Sequence, residues 1–207
     1  MRDNIFALHQ KNIADEAESL FIEKGFNATS VTDICQKSGY SRRTIYKYFA
    51  NKEEILNYLV IKGLEEHMTN IEEALHTQQT FISRYEQICE CLLSYYENHQ
   101  ISAQTVEQFQ HTGKTPLTDS SERIFSLGKK INELLAQWVK GGIEEGVLDR
   151  STDIMPAVYI FSSNVNALFK LISTKGPHLF DSLHMTKEQF LSYGYHMNLR
   201  SLVHGPI

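Results

Sequence analysis

Residues 30–49 read SVTDICQKSGYSRRTIYKYF, and this stretch holds two short helical patterns separated by a three-residue turn. Ser30 is placed to cap the orphan amides of a helix. Asp33, three residues on, falls in the first turn, which is a variant of the capping box. Val31, Ile34, Cys35 and Ser38 share one face, and Gly39 ends the helix in the left-handed position that glycine favours. Ser41 then caps a second helix over 42–49, only about two turns long and too short to be stable alone.

Two short helices joined by Gly39-Tyr40-Ser41 have the length and turn of a helix-turn-helix. In that motif the second helix enters the major groove of DNA and its N-terminal residues reach base edges. The wheel of the second helix fits this geometry. With Ile45 set at zero and about 100° per residue, Phe49 and Tyr48 fall on the Ile45 side. Arg43 and Lys47 point directly away from it, with Arg42 and Tyr46 on one flank and Thr44 on the other.

Outward from this centre nearly everything reads as helix. Upstream, Ile13, Ala14, Ala17, Leu20 and Phe21 form one face of a helix that stops at Gly25. Downstream a long helix is expected from Asn51 to about residue 76, then helices near 79–99 and 101–111 and a loop over 112–118. A helix near 120–146 ends at Gly146, and another spans 153–174. The segment 175–185, which contains Gly176 and Pro177, reads as a loop. Thr186, with Gln189 as its capping-box partner, opens a last helix to about His204. The fold class is therefore all-α. It divides into an N-terminal three-helix DNA-binding domain (1–56) and a larger helical domain (57–207).

Charge supports one narrow contact with a polyanion. The 207-residue chain carries a net charge of −5. From Lys37 to Lys52, however, the charged residues are Lys37, Arg42, Arg43, Lys47 and Lys52, with no acid among them. Residues 53–207 hold twelve Lys and Arg against nineteen Asp and Glu, a balance of −7. A basic patch on an acidic chain suits a protein that touches phosphate in one place. No run approaches the roughly eighteen apolar residues of a membrane span. The start MRDNIFALHQK lacks the apolar stretch of a secretory signal, so a cytoplasmic protein with no membrane partner is expected. Cys35, Cys89 and Cys91 cannot build a disulfide framework. Cys89 and Cys91 leave a redox sensor open beside the plainer reading of small packed side chains.

The order IADEAESLF-IEKGF-NATSV-TDICQKSGYS-RRTIYKYFANKEEIL closely resembles the DNA-binding domain of the TetR (tetracycline repressor) family. The resemblance rests on Ile13-Ala14, Ala17, Leu20-Phe21, Gly25-Phe26, Thr29-Ser30-Val31, Ile34, Gly39, Ser41, Thr44-Ile45-Tyr46, Tyr48-Phe49 and Lys52-Glu53-Glu54. It implies that Ser30 and Thr32 meet the backbone or groove edge, and that Arg42, Arg43, Thr44 and Lys47 read bases. It gives Tyr46, Tyr48 and Lys52 phosphate-contacting or flanking places, with Ser41 at the cap between them. Arginine pairs bidentately with guanine, and tyrosine hydroxyls hold phosphates. Cys35, Ser38 and Tyr40 depart from the family's small residues, in the turn rather than on the groove surface.

The resemblance further implies a C-terminal domain that binds a small-molecule inducer and dimerises through its last two helices. Val158, Phe161, Val165 and Leu168 on one helix, and Phe190, Met197 and Leu202 on the last, are the candidates for the interface of a homodimer. Such a dimer implies a palindromic double-stranded operator. Tyr95, Phe109, His111, Phe125, Trp138 and Phe169 are the candidates to line an inducer pocket. No cofactor and no metal site are expected, because none of the nine histidines forms an i, i+4 pair. Three functions stay open on the residues: a repressor released by an inducer, a constitutive DNA-binding protein, and an enzyme. The last is disfavoured, since no phosphate loop, GxSxG elbow or HExxH is present.

Overall fold

The computed structural model describes residues 2–108 and 118–203. Every regular element among them is an α-helix. In chain order these are α1 Arg2–Lys24, α2 Val31–Ser38, α3 Arg42–Tyr48, α4 Lys52–Thr77, α5 Phe81–Asn98 and α6 Gln100–Gln108. Then follow α7 Asp119–Glu144, α8 Ile154–Leu183 and α9 Lys187–Leu202. The helices form two compact units, one within Met1–Glu66 and Glu97–Leu127, the other within His67–Tyr96 and Gly128–Ile207. The expected loop over 112–118 lies outside the described residues except for Thr118.

The first unit is organised by the apolar face of α1. Ile13, Ala14, Ala17, Leu20 and Phe21 are buried with Ile34 of α2, Ile45 of α3, Phe49, and Ile55 and Leu59 of α4. Two two-turn helices thus acquire the tertiary packing without which they would not persist. Thr29, buried, donates its hydroxyl to the carbonyls of Leu20 and Gly25, which ties the loop before α2 to the end of α1. Gly25 sits at φ +85°, a conformation open to glycine at little cost.

The second unit is built on an aromatic centre. Trp138 of α7 stacks on Phe81 of α5, with centroids 4.8 Å apart and planes 8° from parallel. Its indole N–H donates to the Phe81 carbonyl at 3.3 Å. Phe161 of α8 lies 5.0 Å from Trp138 and 5.7 Å from Tyr85, whose hydroxyl donates to the Tyr195 carbonyl of α9 at 2.6 Å. Arg84 and the amide of Phe81 both bind Glu145, so the start of α5 is fixed to the end of α7. No described helix is long and apolar enough to cross a membrane.

One expectation about the elements fails. The segment 175–185 is not a loop: α8 runs through Gly176 and Pro177 to Leu183, and His184 closes it at φ +51°. Proline lacks the N–H that would bond the carbonyl four residues back, so the helix continues with one rung missing. Packing compensates for the gap. Gly176 is buried, with the Phe180 ring lying 3.1 Å from where a Cβ would stand, and Phe180 meets Phe190 of α9 edge to face at 6.1 Å. The spacing Ile172, Gly176, Phe180 carries the helical stripe past the proline. The last helix opens as predicted, with Thr186 and Gln189 forming a reciprocal capping box.

Candidate nucleic-acid interface

The helix-turn-helix is fixed locally at each boundary. The Ser30 hydroxyl accepts the Asp33 amide at 3.2 Å, and the Asp33 carboxylate accepts the Ser30 amide at 2.7 Å. Asp33 also receives the Ser30 hydroxyl and the Lys24 ammonium, the latter at 2.9 Å. The Ser30 hydroxyl first, and Lys24 after it, hold this carboxyl well below the usual carboxylate range. Gly39 adopts φ +73° and donates its amide to the Cys35 carbonyl, which turns the chain sharply into Ser41. The Ser41 hydroxyl accepts the Thr44 amide at 3.1 Å and opens α3.

The outward face of α3 is as the wheel predicts. Ile45 is buried and Tyr48 half-buried, whereas Arg42, Arg43, Tyr46 and Lys47 are exposed. Thr32 is exposed and Thr44 half-buried. Arg42 lies over the Tyr46 ring at 5.8 Å, and the Lys47 ammonium is 5.3 Å from the Tyr48 ring centre. The five cations of the basic run are not equivalent. Lys37 donates to Ser19 and stands 3.9 Å from Glu23. Lys52, expected at a phosphate-contacting or flanking place, is engaged within the chain. Its ammonium donates to the carbonyls of Phe26 and Thr29 at 2.7 and 2.8 Å and lies 4.1 Å from the Phe26 ring centre. It therefore holds the loop before α2, with one N–H left over. No described residue forms an ion pair with Arg42, Arg43 or Lys47. The hydroxyls of Ser30 and Ser41 are engaged in their caps.

Sequence reading missed the contribution of α1 before Ile13. Phe6 packs on Tyr48 at 4.7 Å, and His9 shares a 2.7 Å hydrogen bond with the Tyr40 hydroxyl. The signal was present in the spacing, since Phe6, His9, Ile13, Ala17 and Leu20 continue one helical stripe backwards.

The candidates in 57–207 fare differently. Trp138 and Phe169 are core residues, 1% and 2% exposed, so their rings face neighbouring side chains. Phe125 is 56% exposed, and Tyr95 is half-buried, stacked on His67 at 4.5 Å. Phe109 and His111 lie outside the described residues. Val158, Phe161 and Val165 are buried within their own chain and cannot form a surface between two copies. Leu168 is half-buried against Gly194, where a Cβ would stand 2.6 Å from its methyl group. Phe190 and Leu202 are half-buried, and of the seven residues Met197 alone is exposed. The most apolar stripe of α8 goes to the aromatic core because Trp138 and Tyr85 need cover there. The large apolar side chains left on the surface are Met155, Tyr159, Ile160 and Leu183 of α8, and Tyr193 and Met197 of α9. Cys89 and Cys91 are buried, and burial pushes the Cys89 thiol up to about 12, which starves it of reactive thiolate. No group of three or more His, Cys, Asp or Glu among the described residues is arranged to hold a metal ion.

A capped two-turn helix that presents unpaired cations from an apolar back has the local geometry of a helix-turn-helix DNA-binding domain. The sequence model of the bacterial regulatory proteins of the tetR family matches residues 13–59. The HTH-type transcriptional regulator YfiR of Bacillus subtilis is 31% identical over 74 residues, which span 36% of each chain. The crystal structure of the TetR-family regulator PfmR from Thermus thermophilus covers 91% of this chain and 97% of its own, with a TM-score of 0.72 and 26% identity. FadR from Bacillus subtilis, solved in complex with stearoyl-CoA, shares the fold at a TM-score of 0.71 and 20% identity, covering 95% of this chain and 99% of its own. Residues 13–59 thus carry the sequence pattern of the tetR-family DNA-binding domain, and the fold of the described chain is that of solved TetR-family regulators.

Proposed function

We propose that the protein is a homodimeric repressor that leaves a palindromic operator when a small molecule binds. In this reading residues 1–56 read DNA, and residues 57–207 bind the inducer and dimerise. The observation that carries it is the exposed, unpaired set Arg42, Arg43 and Lys47 on one capped helix. Arg43 and Arg42 are suited to guanine edges and Lys47 to guanine or phosphate. Thr32, Thr44, Tyr46 and Tyr48 complete the surface, while Ser30, Ser41 and Lys52 shape it. Two-fold symmetry would set the two α3 helices about one DNA turn apart, roughly 34–36 Å.

Dimerisation is assigned to the exposed apolar side chains of α8 and α9, among them Tyr159, Ile160, Tyr193 and Met197. For the inducer, the second unit offers an open groove of about 460 Å³ lined by Asn70, Glu73, Thr77, Gln87 and Cys91. A second groove, of about 410 Å³, lies between α5 and α9. The complex of Bacillus subtilis FadR makes long-chain acyl-CoA thioesters the first compounds to try.

The experiment is selection of bound sequences from random DNA, followed by gel-shift titration at several salt concentrations. A two-fold symmetric motif is expected, and Arg43→Ala should lose about 1–3 kcal/mol on it while relaxing one base preference. Failure to select any motif would remove the reading. A thermal-shift panel that moves the melting temperature and releases DNA identifies the inducer. A panel that leaves DNA binding untouched favours constitutive binding.

A further inference from the structure

We propose that the first three turns of α1 are a brace that sets the orientation of α3, and that the His9–Tyr40 hydrogen bond is a determinant of DNA sequence discrimination. These turns precede the matched stretch 13–59, so the family resemblance assigns them no role. The proposal rests on the DNA-reading role given above to α3.

One side chain of α1 reaches both ends of the recognition helix. His9 Nδ1 and the Tyr40 hydroxyl share a hydrogen bond of 2.7 Å, in the turn just before α3. The same imidazole stands edge-on to the Tyr40 ring at 5.6 Å and also lies 5.6 Å from the Tyr48 ring, at the last residue of α3. Phe6 packs on Tyr48 at 4.7 Å from one turn earlier, and the Gln10 side-chain amide donates to the Tyr48 carbonyl at 3.4 Å. His9, Tyr40 and Tyr48 are all half-buried. The buried anchor of α3 is Ile45. Ile45 and the buried cap residue Phe49, four positions on, anchor one side of this seven-residue helix, which can roll about that line unless its flanks are held.

The geometry makes that roll consequential. Side-chain tips on a helix ride roughly 5–6 Å from the axis, so a roll of about 10° shifts them by about 1 Å. A bidentate arginine–guanine pair holds its donors within about 0.5 Å of their optimum. Contacts to phosphate by flexible lysine are far more tolerant. A loosened brace therefore degrades base reading before it degrades electrostatic attachment. The bland alternative is that these rings merely pack and contribute stability.

The two are separated in the full-length protein with Tyr40→Phe, which removes one oxygen, with His9→Phe, and with the double variant. Affinity is measured for the selected operator and for random-sequence DNA, together with the melting temperature. The brace predicts operator binding weaker by about threefold to tenfold, the range of one net hydrogen bond. It predicts unchanged binding and salt slope on random DNA, and a melting temperature within about 2 °C of the wild type. The double variant should be no worse than the weaker single one, because both break the same bond. His9→Gln, which keeps a hydrogen-bonding atom, should recover part of the discrimination. Equal losses on both DNAs, a melting temperature that falls in step with affinity, or simple additivity would overturn the proposal. Should His9→Phe not fold, Tyr40→Phe decides alone. Should the wild-type protein select no motif, the DNA reading fails separately, and hydrogen exchange of the α3 amides still tests the brace. Faster exchange confined to α3 in Tyr40→Phe supports it, and unchanged exchange refutes it.

Discussion

Lys52 shows how much a single residue's partners decide. Its ammonium binds two backbone carbonyls and faces the Phe26 ring, so Lys52→Ala should lower folding stability by about 1.5–3 kcal/mol, the range for hydrogen bonds to a charged group. Urea denaturation measures this. The same variant should change the salt slope of DNA binding less than Lys47→Ala does. The family resemblance gave Lys52 a phosphate-contacting or flanking place, and its partners could not be read locally because they lie more than twenty positions away. Asp33 was legible for the opposite reason, since every partner of its capping box lies within three residues. Its carboxyl is depressed in the folded protein, so its stabilisation is present above the free-Asp value of about 3.9 and is lost as pH falls through that value towards the folded one. Melting temperatures taken from about pH 6 down to about 2.5 should therefore decline less steeply for Asp33→Asn than for the wild-type chain.

At the scale of elements, α2, α3 and α9 could be read because their ends are signed by serine, threonine and glycine, whose effects are local. The extent of α8 could not, because a glycine–proline pair argues for a break, whereas the packing of Phe180 on Gly176 and Phe190 depends on the following helix. Pro177→Ala should restore the missing rung and raise stability by roughly 1–3 kcal/mol, given the cost of about 3 kcal/mol for proline in a helix interior. Calorimetry would register this as a higher melting temperature, and an unchanged or lower one would mean that the proline serves the packing of α8 on α9. The stripe Val158, Phe161, Val165 was correctly recognised as one face of α8. Periodicity says that a face is buried, but it cannot say whether the cover comes from the same chain or another copy.

For the whole molecule, the remaining surface makes the assembly testable. Tyr159→Glu or Met197→Glu should shift a dimer towards monomer in sedimentation velocity, whereas Phe125→Ser, on another exposed apolar side chain, should not. The distribution of charge and the all-helical class were legible from composition and period alone, because both are sums over many residues. The inducer site was not, since aromatic residues suited to a pocket are equally suited to a core. Trp138 illustrates this, and its position has a further use. It is the sole tryptophan of the chain, shielded from water and laid flat on Phe81. Its emission is therefore an intrinsic optical gauge of the second unit, to which α3 contributes no indole. Quenching or a spectral shift on adding a compound would report that the aromatic centre has rearranged, and adding DNA alone would reveal whether occupancy of the first unit is felt there.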